Sequence, residues 1–293
     1  MAFLATIPLY TPTYVVAFLF LLLMYVSLAQ GWDILGGYTG YLNLGYSIFL
    51  GLSAYVFAYS IVVYKFHPIL ALTFGTLLAV FLALALSFPL FRVRGAYFAL
   101  TSFGLVILLR IVVSNLEILG GNIGEPLPPT PLTHAYYGAL IVAVAATVTK
   151  YGISKSKLGM ALASIREDEE AAASLGVRIF RCKLLAFTIS AVFSGIIGGV
   201  YMMYTNYIDP HLVFGLEVTL LPVVMAMLGG SGTVLGPLIG VVVIMIIEEF
   251  IWTMTPYLHL AMYGAIFVII GIFLPQGIMG IRHSKLLLKI RRK

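Results

Sequence analysis

Eight runs of 16 to 23 residues, each almost wholly apolar, follow one another along this chain, at about 13–30, 44–64, 69–91, 96–116, 135–151, 184–204, 234–254 and 259–274. A hydrocarbon core ~30 Å thick takes ~20 helical residues to cross, so runs of this length point to an all-α integral membrane protein. Only 10% of the 293 residues are charged and 61% are hydrophobic, against about 25% charged in soluble domains. Such a chain has too little polar surface to face water on all sides. Two shorter apolar pieces lie between the long runs, at 34–42 and 216–228; the second would reach only ~20 Å as a helix and is interrupted by Pro222. The expected architecture is therefore about ten helical segments, eight full spans and two short or broken ones. No low-complexity linker divides the chain, so residues 1–293 read as one membrane domain. Residues 1–14 carry no Lys or Arg, so a cleaved signal with a charged leading region is not expected, and 13–30 reads as a retained first span.

Basic residues set the orientation, because Lys and Arg beside spans are held in the cytoplasm. Placing the 150–183 connection inside puts Arg92, Arg94 and the basic tail at 281–293 inside as well, so that 15 of the 17 Lys and Arg share one side. Lys65 falls outside and Arg110 within a span. If 34–42 also crosses, both termini are cytoplasmic. The acids beyond the central connection (Asp33, Glu117, Glu125, Asp209, Glu217, Glu248 and Glu249) fall toward the other face, and Asp33, Glu248 and Glu249 are expected to be hydrated at the interface. The net charge of +6 is thus a signature of membrane orientation, and no nucleic-acid partner is implied.

The 150–183 connection holds 11 of the chain's 28 charged residues. Within it, Ser164 followed three residues later by Glu167 has the spacing of a capping box. Glu167 and Asp168 would lie in the first turn, where the helix dipole favours them, and Gly176 would close the helix in a left-handed turn. A capped helix of about 11 residues is roughly 16 Å long. It is too short and too charged for a bilayer, so it must lie outside, between two spans. A solvated loop would suffice to explain it. The alternative is a docking element, in which Ala171, Ala172 and Ala173 offer a low surface and Glu170 a charge beside it.

Glycine and proline gather at two places, Gly36–Gly51 with Asn43, and Glu217–Gly236 with Pro222. Interrupted helices at membrane depth are tolerated where protein or a water-filled cavity covers their backbone, and a pair of them points to a transport pathway; close helix packing is the competing explanation. The pathway candidates are Gly37, Gly40, Asn43, Gly45, Tyr46, Pro222, Gly229, Gly230 and Gly232. Arg110, deep in a span, would either snorkel outward, pair with Glu117 on the same helical face, or pass an anionic carboxylate. No catalytic constellation is present. Cys182 is the single cysteine, the five histidines are scattered, and Gly229-Gly230-Ser231-Gly232 lacks the lysine and spacing of a nucleotide-binding P-loop. No cofactor or metal is expected on this chain.

Four stretches, in order along almost the whole chain, resemble the LivM-like permease subunits of branched-chain amino acid ABC importers. Gly37-Tyr38-Thr39-Gly40-Tyr41-Leu42-Asn43-Leu44-Gly45-Tyr46 is similar to that family's G-Y-x-G-x-x-S-L-G-H, with Asn43 and Tyr46 as departures. Arg94-Gly95-Ala96-Tyr97-Phe98-Ala99 resembles its R-G-x-Y-F-A, and Ile165 to Gly176 its I-R-x-x-x-x-A-A-x-x-x-G. Leu228 to Pro237 pairs with Leu274 to Gly280 as the last. The resemblance implies an ABC importer permease fold in the inner membrane of a prokaryote. It implies a second permease subunit, two ATP-binding subunits that hold ATP and Mg, and an extracytoplasmic binding protein that selects substrate. Leucine, isoleucine and valine are the default cargo; urea, short amides or other amino acids are carried by related members. Residues 152–183 become the coupling loop, with Ser164, Arg166, Glu167, Glu170, Ala171, Ala172 and Gly176 facing the ATPase. A stand-alone secondary transporter is the rival class; it would need a coupling-ion site of buried acids.

Overall fold

Twenty-seven consecutive residues, Thr13–Thr39, form one helix, α1. It is the axis on which the rest of the bundle is laid in the computed structural model, which describes residues 6–8, 10–117, 120–254 and 277–279. Its span of ~40 Å absorbs both the expected first run and the expected short segment at 34–42. The anticipated break at 31–33 does not occur because Gln30 and Asp33 are buried and bonded inside the protein. A polar residue ends a helix only where no partner is available to it. The helix stops instead at Gly40, whose φ of 74° sends the chain into the left-handed turn while its amide bonds Gly36 O at 2.9 Å.

The helices that follow are α2 (Ser47–Val62), α3 (Pro68–Leu90), α4 (Gly95–Ser114) and α5 (Leu132–Ser154). Two short helices, α6 (Lys157–Glu167) and α7 (Glu169–Ser174), precede α8 (Ile179–Thr205), and α9 (Pro210–Val213), α10 (Leu216–Gly229) and α11 (Gly236–Met254) follow it. Among the described residues six stretches are long and apolar enough to cross a membrane: α1, α3, α4, α5, α8 and Pro210–Gly229, in which α9 and α10 follow each other across Phe214 and Gly215. This corrects the expected eight full spans. The run at 44–64 shortens to the 16 residues of α2, since 40–46 is spent on the turn after α1. The run at 259–274 and the basic tail at 281–293 lie outside the described residues.

The bundle has two faces. At one, β1 (Glu125–Pro126) pairs antiparallel with β2 (Tyr207–Ile208), tying the loop after α4 to the end of α8. At the other, ~40 Å away along the 27 residues of α8, sit α6 and α7. Because α1 ends beside α6, its first residue, Thr13, lies at the β-ribbon face, opposite the α6–α7 pair. Residues 34–39 belong to α1, so the separate crossing expected at 34–42 is not there.

Burial divides the helices by role. The spanning windows of α1, α8 and Pro210–Gly229 are each 67% buried, against 22% for α3 and 28% for α4. The first three build the interior, and the other two turn broad apolar sides outward. Close approach at the centre is bought with glycine: a Cβ on Gly240 would stand 1.7 Å from Met225 O, and one on Gly198 2.3 Å from Leu50 O. Neither site accepts any other residue without moving a helix.

Candidate functional site

The α6–α7 face is where the charged residues converge. The connection was expected to form one helix starting at Ser164, and it forms two. Ser156, extended at ψ 165°, caps α6 by accepting from Gly159 N. Asp168, also extended, ends α6 and caps α7, its Oδ1 accepting from Glu170 N at 2.8 Å and Ala171 N at 2.9 Å. Ser164 is therefore an interior residue bonded to Ala161 O, and Glu167 is the last residue of α6 rather than the third of a capping box. Asp168 is at least as strong a cap as serine, and it takes that role one position after Glu167. Gly176 adopts φ 87° as expected of a left-handed stop. Of the three alanines, Ala172 is turned into the protein, and Ala171 and Ala173 face outward with Glu170. Met160, 65% exposed, and Leu175, 84% exposed, add an apolar outer surface that sequence reasoning did not single out.

Beneath these helices are two charge clusters. In the inner one, Lys150 Nζ of α5 meets Asp33 Oδ2 of α1 at 2.6 Å, and both side chains are completely buried. Gly232 N donates to both oxygens of the same carboxylate, at 3.1 and 2.9 Å. The Gly232 backbone, at φ 83°, reaches that geometry because it carries no side chain. One turn away, Arg166 Nη1 donates to Gly37 O at 2.7 Å. That carbonyl belongs to the last turn of α1, where the helix leaves acceptors without partners and presents the negative end of its dipole. Gln30, three residues before Asp33, donates to Val234 O at 2.9 Å. Gln30, Asp33 and Gly37 lie on one face of α1, and that face receives the turn at 230–235. The expected hydrated Asp33 is thus a buried, fully engaged carboxylate, and it joins two glycine-rich stretches that sequence spacing had left separate.

The outer cluster binds α7 to the bundle. Lys183 Nζ of α8 contacts Glu169 Oε1 and donates to the Tyr41 hydroxyl at 2.7 Å, and that hydroxyl donates to Glu169 Oε2 at 2.9 Å. The ammonium also lies 4.1 Å from the centre of the Tyr41 ring. Arg94 approaches Glu169 at 3.7 Å and Glu170 at 3.8 Å. Desolvation of Glu169 favours its neutral form, but the hydrogen bonds from Lys183 and Tyr41 and the charges of Lys183 and Arg94 outweigh it, holding the carboxyl below the ordinary glutamate range.

The remaining pathway candidates are packed rather than open in the single chain. Asn43 is buried: its carbonyl accepts from Trp32 Nε1 at 2.7 Å and its Oδ1 from Gly45 N at 3.0 Å. Tyr46 is buried against Gly31 and donates to Ser190 O at 3.2 Å. Gly45 touches Ser102, Gly229 touches Gly236, and Pro222 and Gly230 are buried, while Gly40 is exposed at the turn. Arg110 is half-buried on α4, and among the described residues no ion pair joins it to Glu117. Sequence reasoning missed Asp33, Lys150, Tyr41, Glu169 and Lys183. A lone acid inside a long apolar stretch, and a lysine near the end of another, were the available signals for the first pair.

Among the described residues no group of three or more His, Cys, Asp or Glu could hold a metal ion. Among the described residues Asp33 is the one fully buried acid, and its oxygens are taken by Lys150 and Gly232.

A family described as "Branched-chain amino acid transport system / permease component" matches residues 14–271. The chain is 28% identical over 303 residues to the high-affinity branched-chain amino acid transport system permease protein LivM of Escherichia coli (strain K12), covering 92% of this chain and 71% of that protein. Its counterpart in Salmonella typhimurium is 28% identical over 301 residues, with 91% and 70% covered. A probable branched-chain amino acid transport permease protein LivM of Methanocaldococcus jannaschii is 24% identical over 189 residues, with 61% and 55% covered. No solved structure matches.

Proposed function

The chain belongs to the branched-chain amino acid transport permease family, and from that membership we propose that it is the subunit through which an ATP-driven importer passes leucine, isoleucine and valine. It is a transport subunit and not an enzyme. The six apolar spans among its described residues make it a multi-pass membrane protein. ATP and Mg are bound by two partner ATPases, a second permease completes the membrane part, and an extracytoplasmic binding protein delivers and selects the substrate. Urea and short amides are the alternative cargo.

The observation that carries the reading is the α6–α7 pair. Two short capped helices stand outside the bundle, fastened beneath by Arg166 and Glu169, and turn Met160, Glu170, Ala171 and Leu175 outward. A solvated loop needs neither the fastening nor the exposed apolar side chains. We place this face in the cytoplasm, where it seats an ATPase, and the β-ribbon face with Thr13 outside. A secondary transporter would leave the pair without a use, and its buried acid is already neutralised.

The docking assignment is tested by combining Gly176→Val, which strains the left-handed stop, with Glu170→Lys. Co-purification of the ATPases should fall at least fivefold with membrane insertion unchanged; an undiminished complex would remove the assignment. Uptake of labelled leucine into vesicles holding the whole importer, competed by valine but not by urea, tests the cargo. The opposite competition would reassign it to the amide-carrying members.

A further inference from the structure

We propose that Asp33, Lys150 and Arg166 are positioning residues that carry the movement of the α6–α7 pair to the turn at 230–235, and so to the α10–α11 hairpin. The inference rests on α6–α7 being the ATPase docking element; what it adds is the route from there into the membrane part.

The geometry is a grip at two points on one turn of helix. Only Lys155 and Ser156 separate α5 from α6, so Lys150 and Arg166 belong to one continuous arm of this chain. Lys150 takes the Asp33 carboxylate at 2.6 Å, and Arg166 takes the Gly37 carbonyl at 2.7 Å. Asp33 and Gly37 are four residues apart, one above the other on α1. Both contacts also bear on Gly232. Its amide donates to the Asp33 carboxylate, and a Cβ placed on it would stand 3.0 Å from both Arg166 Nη1 and Gly37 O. Displacing α6 without breaking the 2.7 Å bond therefore displaces the end of α1, and the turn at 230–235 goes with it.

Past the turn the chain is stiff. The backbones of Gly229 and Gly236, and of Met225 and Gly240, are in contact without intervening side chains, so α10 and α11 shift together rather than splay. At the far end of α10, Thr219 shares a 2.7 Å hydrogen bond with Ser47, the first residue of α2. The same displacement thus reaches the start of the helix that follows the α1 turn. A purely structural role for Arg166 would not need its contact to fall at the junction of three elements from distant parts of the chain.

The test compares Arg166→Ala and Arg166→Lys in the assembled importer (both permeases, both ATPases and the binding protein) reconstituted in liposomes. It reads substrate moved per ATP hydrolysed. For Arg166→Ala this ratio should fall about tenfold with the ATPases still bound. Arg166→Lys, which retains one donor for Gly37 O, should recover at least half of it. Spin labels at Ala163→Cys and Thr233→Cys in a Cys182→Ser background report the linkage directly. Their separation should stay constant between nucleotide-free and ATP-trapped states, and it should change between those states once Arg166 is alanine. An unaltered ratio, a proportional loss of hydrolysis and transport, failure of Arg166→Ala to hold the ATPases, or an indifferent label distance would each overturn the proposal. Failure of the wild-type chain to recruit ATPases would instead overturn the importer reading itself.

Discussion

Lys150 and Lys183 each reach a carboxylate near the α6–α7 end of a long helix, yet one pair is sealed and the other is open at its edge. Asp33 and Lys150 are both completely buried, whereas the Glu169 side chain keeps 18% of its surface and its second cation, Arg94, keeps 64%. The helix ends differ as well. Lys150 sits near the C-terminus of α5, where the dipole favours a cation, and Lys183 near the N-terminus of α8, where it does not. Lys183 therefore depends on Glu169 and the Tyr41 hydroxyl for its stabilisation. The sealed pair suits an element that must hold one register inside the bundle. The open one suits a helix that must stay fastened while a partner acts on its outer side.

The comparison is tested most severely at Lys150. Lys150→Met leaves the Asp33 carboxylate buried with only the Gly232 amide, and breaking a buried pair in this way costs about 3–5 kcal/mol. The variant should lose its monodisperse peak in detergent, and adding Asp33→Asn should restore most of it. Equal damage from the single and double changes would mean that shape, not charge, matters there.

Lys183→Met should be milder, about 1–3 kcal/mol, because Glu169 can turn to water and keep Arg94. Its signature is in acid. The Glu169 carboxyl is held below its ordinary value of 4.5, so its stabilisation is fully present above that pH. It is lost as pH falls through the lowered folded value. Thermal unfolding between pH 6 and pH 3 should therefore show an acid-side loss that Glu169→Gln reduces. An identical slope in both proteins would show that Glu169 is not the group titrating.

Arg94→Ala should have the smallest effect, below about 1 kcal/mol, since a mostly exposed cation at 3.7 Å is well screened. High salt should mimic it in the parent protein and leave the Asp33–Lys150 pair untouched. A large, salt-independent loss would place Arg94 with the sealed cluster instead.

Much of the fold was legible from apolar run length, because a spanning helix must satisfy its backbone within itself and so writes its extent locally. Six of the eight expected runs, those starting at 13, 69, 96, 135, 184 and 234, overlie helices of 19 residues or more among the described residues. The misreadings share one cause. The sequence presents Asp33 as part of a break between a span ending at residue 30 and a segment at 34–42, and Ser164 as the start of a helix, yet each is an interior helical residue. A polar side chain looks the same in sequence whether it terminates a helix or has found a partner. The candidate site was legible in part. Arg166, Gly37 and Gly232 were each singled out, but nothing in their spacing said that they meet.

Membrane character, the capacity for repeated crossings and the charged stretch that interrupts the apolar runs before α8 were determined by the sequence alone. Each follows from the transfer free energy of contiguous residues, which needs no knowledge of neighbours. The tertiary structure alone decided that α1 runs unbroken and that a carboxylate lies sealed within it. Those outcomes depend on Lys150 and on a glycine amide 199 residues further along the chain. Burying a charge is unfavourable by several kcal/mol until such partners arrive, so the same aspartate breaks a helix or sits inside one according to what folds against it.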